Sequence, residues 1–235
     1  LFRGARIEGE LKSLLDEAEE KRVAAEAIAQ QVAEERAHAE EEAKAATVEQ
    51  ENCERIREEI TVVQRDTEVD LERARPLVTR AVEALATLNK RELAECRTMV
   101  APPPGVDDVF AAVTVLMAGS HPAIPVNKGG KVKPEHRTWD SSKRFLLRDT
   151  NEFIERLTQF KEEVVNNTVA DVNWKEIRPY LAMDHFKVDT IRERNQMAAG
   201  ICAWVINIVA YYDVLCVVRP KEAAKAADEA KARFA

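Results

Sequence analysis

The side chains best suited to chemistry here are four histidines, four cysteines and several clusters of Lys and Arg. The histidines are scattered: His38 lies in a charged helical pattern, His121 and His136 in a Pro/Gly-rich stretch, and His185 in "MDHF". None is spaced to share a metal or to sit as a base beside a nucleophile. Cys53, Cys96, Cys202 and Cys216 show no C-x-x-C spacing and no matching histidines, so they read as reduced thiols of a cytosolic protein. Gly129-Gly130-Lys131 suggests a phosphate loop. However, no glycine stands at the required spacing before it, and Val132 replaces the Ser or Thr that would hold magnesium. The expectation is therefore a protein without catalytic site, cofactor or metal.

The cations group in three places: Lys90, Arg91 and Arg97; Lys143, Arg144 and Arg148; Arg192 and Arg194. On helical spacing 144 and 148 share a face, as do 90 and 97. Solvated helix surface is one reading of these groups, and a site for an acidic partner is the other. Residues 89–219 hold 18 basic and 17 acidic residues, while the rest of the chain is strongly acidic, within a total of −7. Such a balance argues against a nucleic-acid binder, which carries a strong basic excess. The apolar run Ile201–Leu215 reads as too short to span a bilayer and is interrupted by Asn207 and Asp213, so a buried helix and no membrane partner are expected.

What positions these cations is a chain in two halves. Residues 1–88 are rich in Ala, Glu, Arg and Lys, almost free of aromatics, and broken by one proline, which suits a coiled coil. Leu11, Ala18, Ala25, Val32, Ala39, Ala46, Cys53, Ile60 and Thr67 recur every seven residues, which implies a left-handed supercoil with a partner helix. The second seam position is ambiguous between the column of Leu14, Ile28, Ile56 and Val63 and that of Leu15, Ala29 and Ala43, so register is weakly fixed. From Leu71 through Ala74, Val78, Ala81, Leu85 and Leu88 the seam improves, after a four-residue stutter at Thr67. Pro76 should loosen one turn. The last residues offer a return helix starting at Pro220, with Ala223, Ala227, Ala230 and Phe234 as its seam. The first sixty residues then lack a partner within this chain, as in a fragment or in a helix that pairs with another molecule.

All three tryptophans and all three tyrosines fall between Trp139 and Tyr212, so a core can form only in residues 89–219. That head reads as all-α: a short helix Val109–Met117, a loop over Gly119–Arg137, and an amphipathic helix Trp139–Phe160. Asn173/Glu176 and Thr190/Glu193 are spaced as capping boxes opening two more helices. The fold class expected is a long antiparallel coiled-coil stalk capped by a small helical-bundle head, with domains 1–88, 89–219 and 220–235.

The segments "ALATLNKRELAECRTMVAPPPG", "TWDSSKRFLLRD", "IRERNQMAAGICAWVINIVAYYDV" and "VRPK", in that order, resemble the stalk tip of a dynein heavy chain across Pro76–Lys221. "AAGICAWVINIV" and the long loop look axonemal (flagellar) rather than cytoplasmic. The resemblance implies a microtubule-binding head for α/β-tubulin, joined to the rest of a heavy chain whose ATPase ring lies elsewhere. It further implies that Leu1–Arg75 belongs to the outgoing stalk strand, with most of the return strand missing here. Register sliding of the stalk would couple to affinity, with Pro76 and Pro220 as hinges, and the place of action would be the axoneme of a cilium or flagellum. Lys90, Arg91, Arg97, Lys143, Arg144, Arg148, Arg192 and Arg194 would face tubulin, and Lys128, Lys131, Lys133 and Arg137 of the loop could reach it too. Without the resemblance, a coiled-coil scaffold whose head binds another protein is the competing reading.

Overall fold

The computed structural model describes the backbone of residues 2–234 and the side chains of residues 7–230. Eight α-helices and a single 3-10 turn (Pro134–His136) account for the regular structure of the described residues. In order they are α1 (Phe2–Ala86), α2 (Lys90–Thr98), α3 (Val106–Leu116), α4 (Trp139–Leu146), α5 (Thr150–Val165), α6 (Asp171–Leu181), α7 (Val188–Arg192) and α8 (Gln196–Phe234). Two compact units result: residues 1–61 with 228–235, and residues 62–227.

In the first unit every residue from Ile7 to Asn52 is exposed, the apolar heptad column included. Side chains on this part of α1 pair along the helix instead, as in Lys21–Glu17 (2.7 Å), Arg22–Glu26 (2.6 Å) and Arg55–Glu59 (2.9 Å). Such pairs at four-residue spacing each add a few tenths of a kcal/mol, about 0.2–0.5, to a helix. Cys53, Ile56 and Ile60 are half-buried.

In the second unit the seven-residue column continues without interruption through the buried Thr67, Ala74 and Ala81 to the half-buried Leu88. The stutter read at Thr67 is therefore not an insertion. What changes there is the number of covered columns. Ile56, Val63, Asp70, Leu77 and Ala84, three residues after column members, are half-buried throughout, and beyond Thr67 the residues Leu71, Val78 and Leu85, four residues after, are covered as well. Asp70, where the covered face widens, accepts a 2.7 Å bond from Lys221 of α8.

The return helix differs from expectation. Pro220 does not open a helix, because α8 runs through it, as α1 runs through Pro76. Ala223, Ala227 and Ala230 are exposed, while Lys221, Lys225, Asp228 and Glu229 are the partly covered positions, at three- and four-residue spacing. The Phe234 side chain, expected on that seam, lies outside the described residues. The apolar part of α8 is also longer than the run read from sequence. By length and composition it could cross a membrane, and half of that window is buried inside the protein.

α1 stops at Ala86, and Asn89 opens α2 as its N-cap, its side chain accepting from the Arg91 N–H at 2.9 Å. The central element is α3, whose residues Val109–Leu116 are all buried between α4 and α6. Phe110 of this helix and Trp204, Phe153 and Phe160 of the same core are fully buried, each contributing about 1.5–3 kcal/mol by leaving water. Trp139 meets Phe110 edge-on at 5.3 Å, and Trp174 stacks on Tyr212 at 3.8 Å.

Three local expectations give way to tertiary contacts. The helix read from Trp139 to Phe160 is two helices. Leu147 ends α4, and Asp149 caps α5 by accepting from the N–H groups of Asn151 and Glu152. Asn173 does not cap a helix: α6 begins earlier, and the buried Asn173 amide donates to the carbonyls of Leu116 (3.1 Å) and Ala118 (2.8 Å) at the end of α3. Thr190 lies inside α7, and Asn195 is the residue that caps α8, accepting from the Ala198 N–H at 2.8 Å.

Candidate functional site

Two of the cation clusters converge because α2 packs on α5 through Leu93 and Cys96, which leaves Arg97 facing outward. Thr138 caps α4, accepting from the Ser141 N–H at 3.3 Å, and the buried Trp139 fixes that helix's rotation against α3. Arg97, Lys143, Arg144 and Arg148 then line one open groove of about 390 Å³, with Asp140 among them. Arg97 donates to the Arg148 carbonyl at 3.4 Å. Arg144 lies over the Phe145 ring at 5.1 Å, a cation–π contact that steadies its guanidinium.

The turn of residues 99–105, which carries the three prolines, is held at both ends. At its start the Met99 carbonyl accepts from the Trp139 indole N–H (3.1 Å) and from the Lys143 ammonium (2.7 Å). Lys143 also pairs with Asp140 at 3.0 Å, and its side chain is only 16% exposed. Lys143 is thus a positioning residue as much as a free cation. At the turn's other end Arg194 donates to the Pro104 carbonyl at 2.6 Å. Gly105 follows with φ +83°, where a Cβ would stand 2.7 Å from the His185 ring and 2.9 Å from the Arg194 guanidinium, so only glycine fits. His185 in turn bonds Asp108 at 2.7 Å.

The remaining expected residues are placed differently. Lys90 stands at the exposed start of α2. Arg91 pairs with Glu95 on its own helix (3.2 Å), and Arg192 pairs with Asp189 (2.6 Å). In the loop, Lys131 (2.9 Å) and Arg137 (2.7 Å) both bond Glu176, whose carboxyl they hold below its ordinary pKa, and Lys133 lies 3.6 Å from Glu135. Lys128 is on the exposed turn beyond, shaped by Asn127, which accepts from the N–H groups of Gly129 and Lys131. Burial pushes the Cys96 thiol up to about 11 and Cys202 to about 12, which keeps both protonated.

Met99, Pro104 and Asp140 complete the site and were missed from sequence. Asp140 precedes Lys143 by three residues and was readable from helical spacing. The Met99 contacts span 40 and 44 positions and had no local signal.

An all-helical head with a basic groove and a pinned turn, set on the paired ends of α1 and α8, defines a docking module. The chain belongs to the family described as the microtubule-binding stalk of dynein motor, whose profile matches residues 5–235. Among its relatives, the flagellar outer-arm dynein alpha chain of Chlamydomonas reinhardtii is 36% identical over 72% of this chain. Human dynein axonemal heavy chain 17 is 34% identical over 95%, and the ciliary dynein beta chain of Tripneustes gratilla is 36% identical over 75%. The matched region spans 3, 5 and 4% of these relatives' lengths. A solved microtubule-binding domain of dynein-C shares 29% identity at a TM-score of 0.50, covering 66% of this chain and 95% of that one. The family in question is a stalk domain, not an ATPase domain.

Proposed function

We propose that this chain docks the tip of an axonemal dynein stalk on the acidic surface of a microtubule through the groove formed by α2 and α4. The convergence of Arg97, Lys143, Arg144 and Arg148 on one open groove carries this reading. Long-range attraction brings the surfaces together, and charge-assisted hydrogen bonds then orient them. Lys90 extends the basic face along α2. Arg91 and Arg192, paired on their own helices, contribute less. The head is a binding module without chemistry of its own, and the ATPase belongs to another part of the heavy chain. Binding is tested by co-sedimentation of Lys90→Ala and Arg148→Ala with microtubules. Each variant should bind several-fold more weakly with unchanged far-ultraviolet helicity; normal binding by both would mean the face is elsewhere.

The affinity is set by the register of α1 against α8. The covering of both columns, three and four residues after Thr67, Ala74 and Ala81, supports this, because one stretch of helix then offers two packings that differ by a single residue. Pro76 and Pro220 each remove a backbone donor from their helix and so lower the cost of local adjustment. Disulfides that lock 71–88 to α8 in alternative registers should give different microtubule affinities, and equal affinities would remove the coupling.

A further inference from the structure

Val100 is 92% exposed, against at most 63% for any other large apolar side chain among the described residues and 48% or less for those on helices α3 to α7 and their loops. It follows Met99 directly, so it stands on the turn whose first carbonyl is gripped by Trp139 and Lys143 and whose Pro104 carbonyl is gripped by Arg194. Trp139 is itself 93% buried, and its ring packs on Phe110 of the central helix. Pro102, Pro103 and Pro104 fix φ along the turn, which leaves little conformational freedom to be lost on binding. An isolated surface valine is ordinary. A valine held out by three tertiary hydrogen bonds and three prolines, three residues beyond Arg97 of the basic groove, is a built feature.

We infer that Val100 is an apolar contact of the docking face and inserts into an apolar recess beside the acidic residues that the groove engages. The proposal rests on the docking reading above and adds a specificity determinant to it. The groove supplies attraction from a distance that any acidic surface would feel. Val100 supplies a short-range fit that selects the surface carrying the recess. Lys143 and Arg194 act through Val100 as positioning residues, because both fasten the turn that displays it.

Partial burial of one valine side chain is worth roughly tenfold in affinity. The test compares Val100→Ser, Val100→Ile and Arg148→Ala in co-sedimentation with microtubules over a series of salt concentrations, with tryptophan-fluorescence melting of each variant as the fold control. Val100→Ser should bind about five- to tenfold more weakly, with the wild-type dependence on salt and an unchanged melting temperature. Val100→Ile should bind like wild type, and Arg148→Ala should weaken binding while flattening the salt dependence. Wild-type affinity for Val100→Ser, equal weakness of Val100→Ile, or a lowered melting temperature would overturn the inference. If Arg148→Ala weakens binding and Val100→Ser does not, the docking reading stands and this inference alone fails. Failure of the wild-type chain to pellet at low salt removes both.

Discussion

Replacing Asn173 with alanine should cost the head about 3 kcal/mol, for a reason confined to one side chain. Asn173 is 2% exposed, and its amide donates to the carbonyls of Leu116 and Ala118, where α3 has run out of backbone donors. A buried acceptor left without a donor costs about 1–3 kcal/mol, and two are orphaned here. The small void adds about 1 kcal/mol, while partial wetting of the two carbonyls offsets some of the total. For a domain of this size about 3 °C of melting temperature goes with each kcal/mol, so the midpoint should fall by about 9 °C. Tryptophan fluorescence is the suitable assay, because Trp139, Trp174 and Trp204 are all buried in the same unit as Asn173, whereas circular dichroism is weighted by the 85-residue α1. Asn173→Asp preserves volume but turns a carboxylate toward two carbonyl oxygens, so at neutral pH it should be less stable than the alanine variant. The gap should narrow on acidification, when the protonated carboxyl can donate to one of them. An alanine variant that melts within about 2 °C of wild type would refute the reasoning, since that shift corresponds to less than the cost of one orphaned carbonyl.

At Gly200 α8 passes close to the end of α1: a Cβ there would lie 2.8 Å from Thr87 Oγ1 and 3.1 Å from the Ala84 carbonyl. Gly200→Ala should therefore destabilise by about 1 kcal/mol and Gly200→Val by about 1–3 kcal/mol in the same melting assay, because the alanine backbone atom must yield as well as the threonine hydroxyl. The Glu176 carboxyl, held below its ordinary 4.5 first by Arg137 and then by Lys131, anchors the loop of residues 119–137. A lowered folded pKa means this anchoring is complete above pH 4.5 and is lost as pH falls through the folded value. Amide-exchange protection of residues 127–133, corrected for intrinsic rates, should fall between pH 6 and pH 3 in wild type. In Glu176→Gln it should be low and flat across that range.

The features legible in the sequence are those with a local cause. The heptad column of α1 follows from seven-residue spacing, and the loop after α3 follows from its prolines and glycines. The three cation clusters were visible as composition. The convergence of two of them and the pinning of the turn by Arg194 from the third were not, because the contacts involved cross more than 40 residues and use backbone carbonyls, which carry no sequence signature. Asn173 shows the same limit from the other side. Its spacing to Glu176 satisfies a capping box, yet burial against α3 gives its amide better partners and sends Glu176 to Arg137. Asp149, an ordinary acidic residue within an amphipathic run, splits that run because its carboxylate satisfies two N–H groups that a continuous helix would have bonded internally. On the return helix the small apolar residues looked like the seam. The covered face instead carries Lys221, with Asp70 opposite it, a polar pairing that apolar periodicity cannot reveal.

The proposed docking requires the groove of Arg97, Lys143, Arg144 and Arg148 to be the surface that meets the microtubule. Its most direct test is co-sedimentation of this chain and of an Arg97→Ala/Arg144→Ala/Arg148→Ala variant with microtubules from low to moderate ionic strength. Wild type should pellet at low salt and lose binding steeply as salt rises, while the triple variant should bind weakly throughout with a shallow dependence on salt. Equal pelleting of the two proteins, or wild-type binding indifferent to salt, would contradict it.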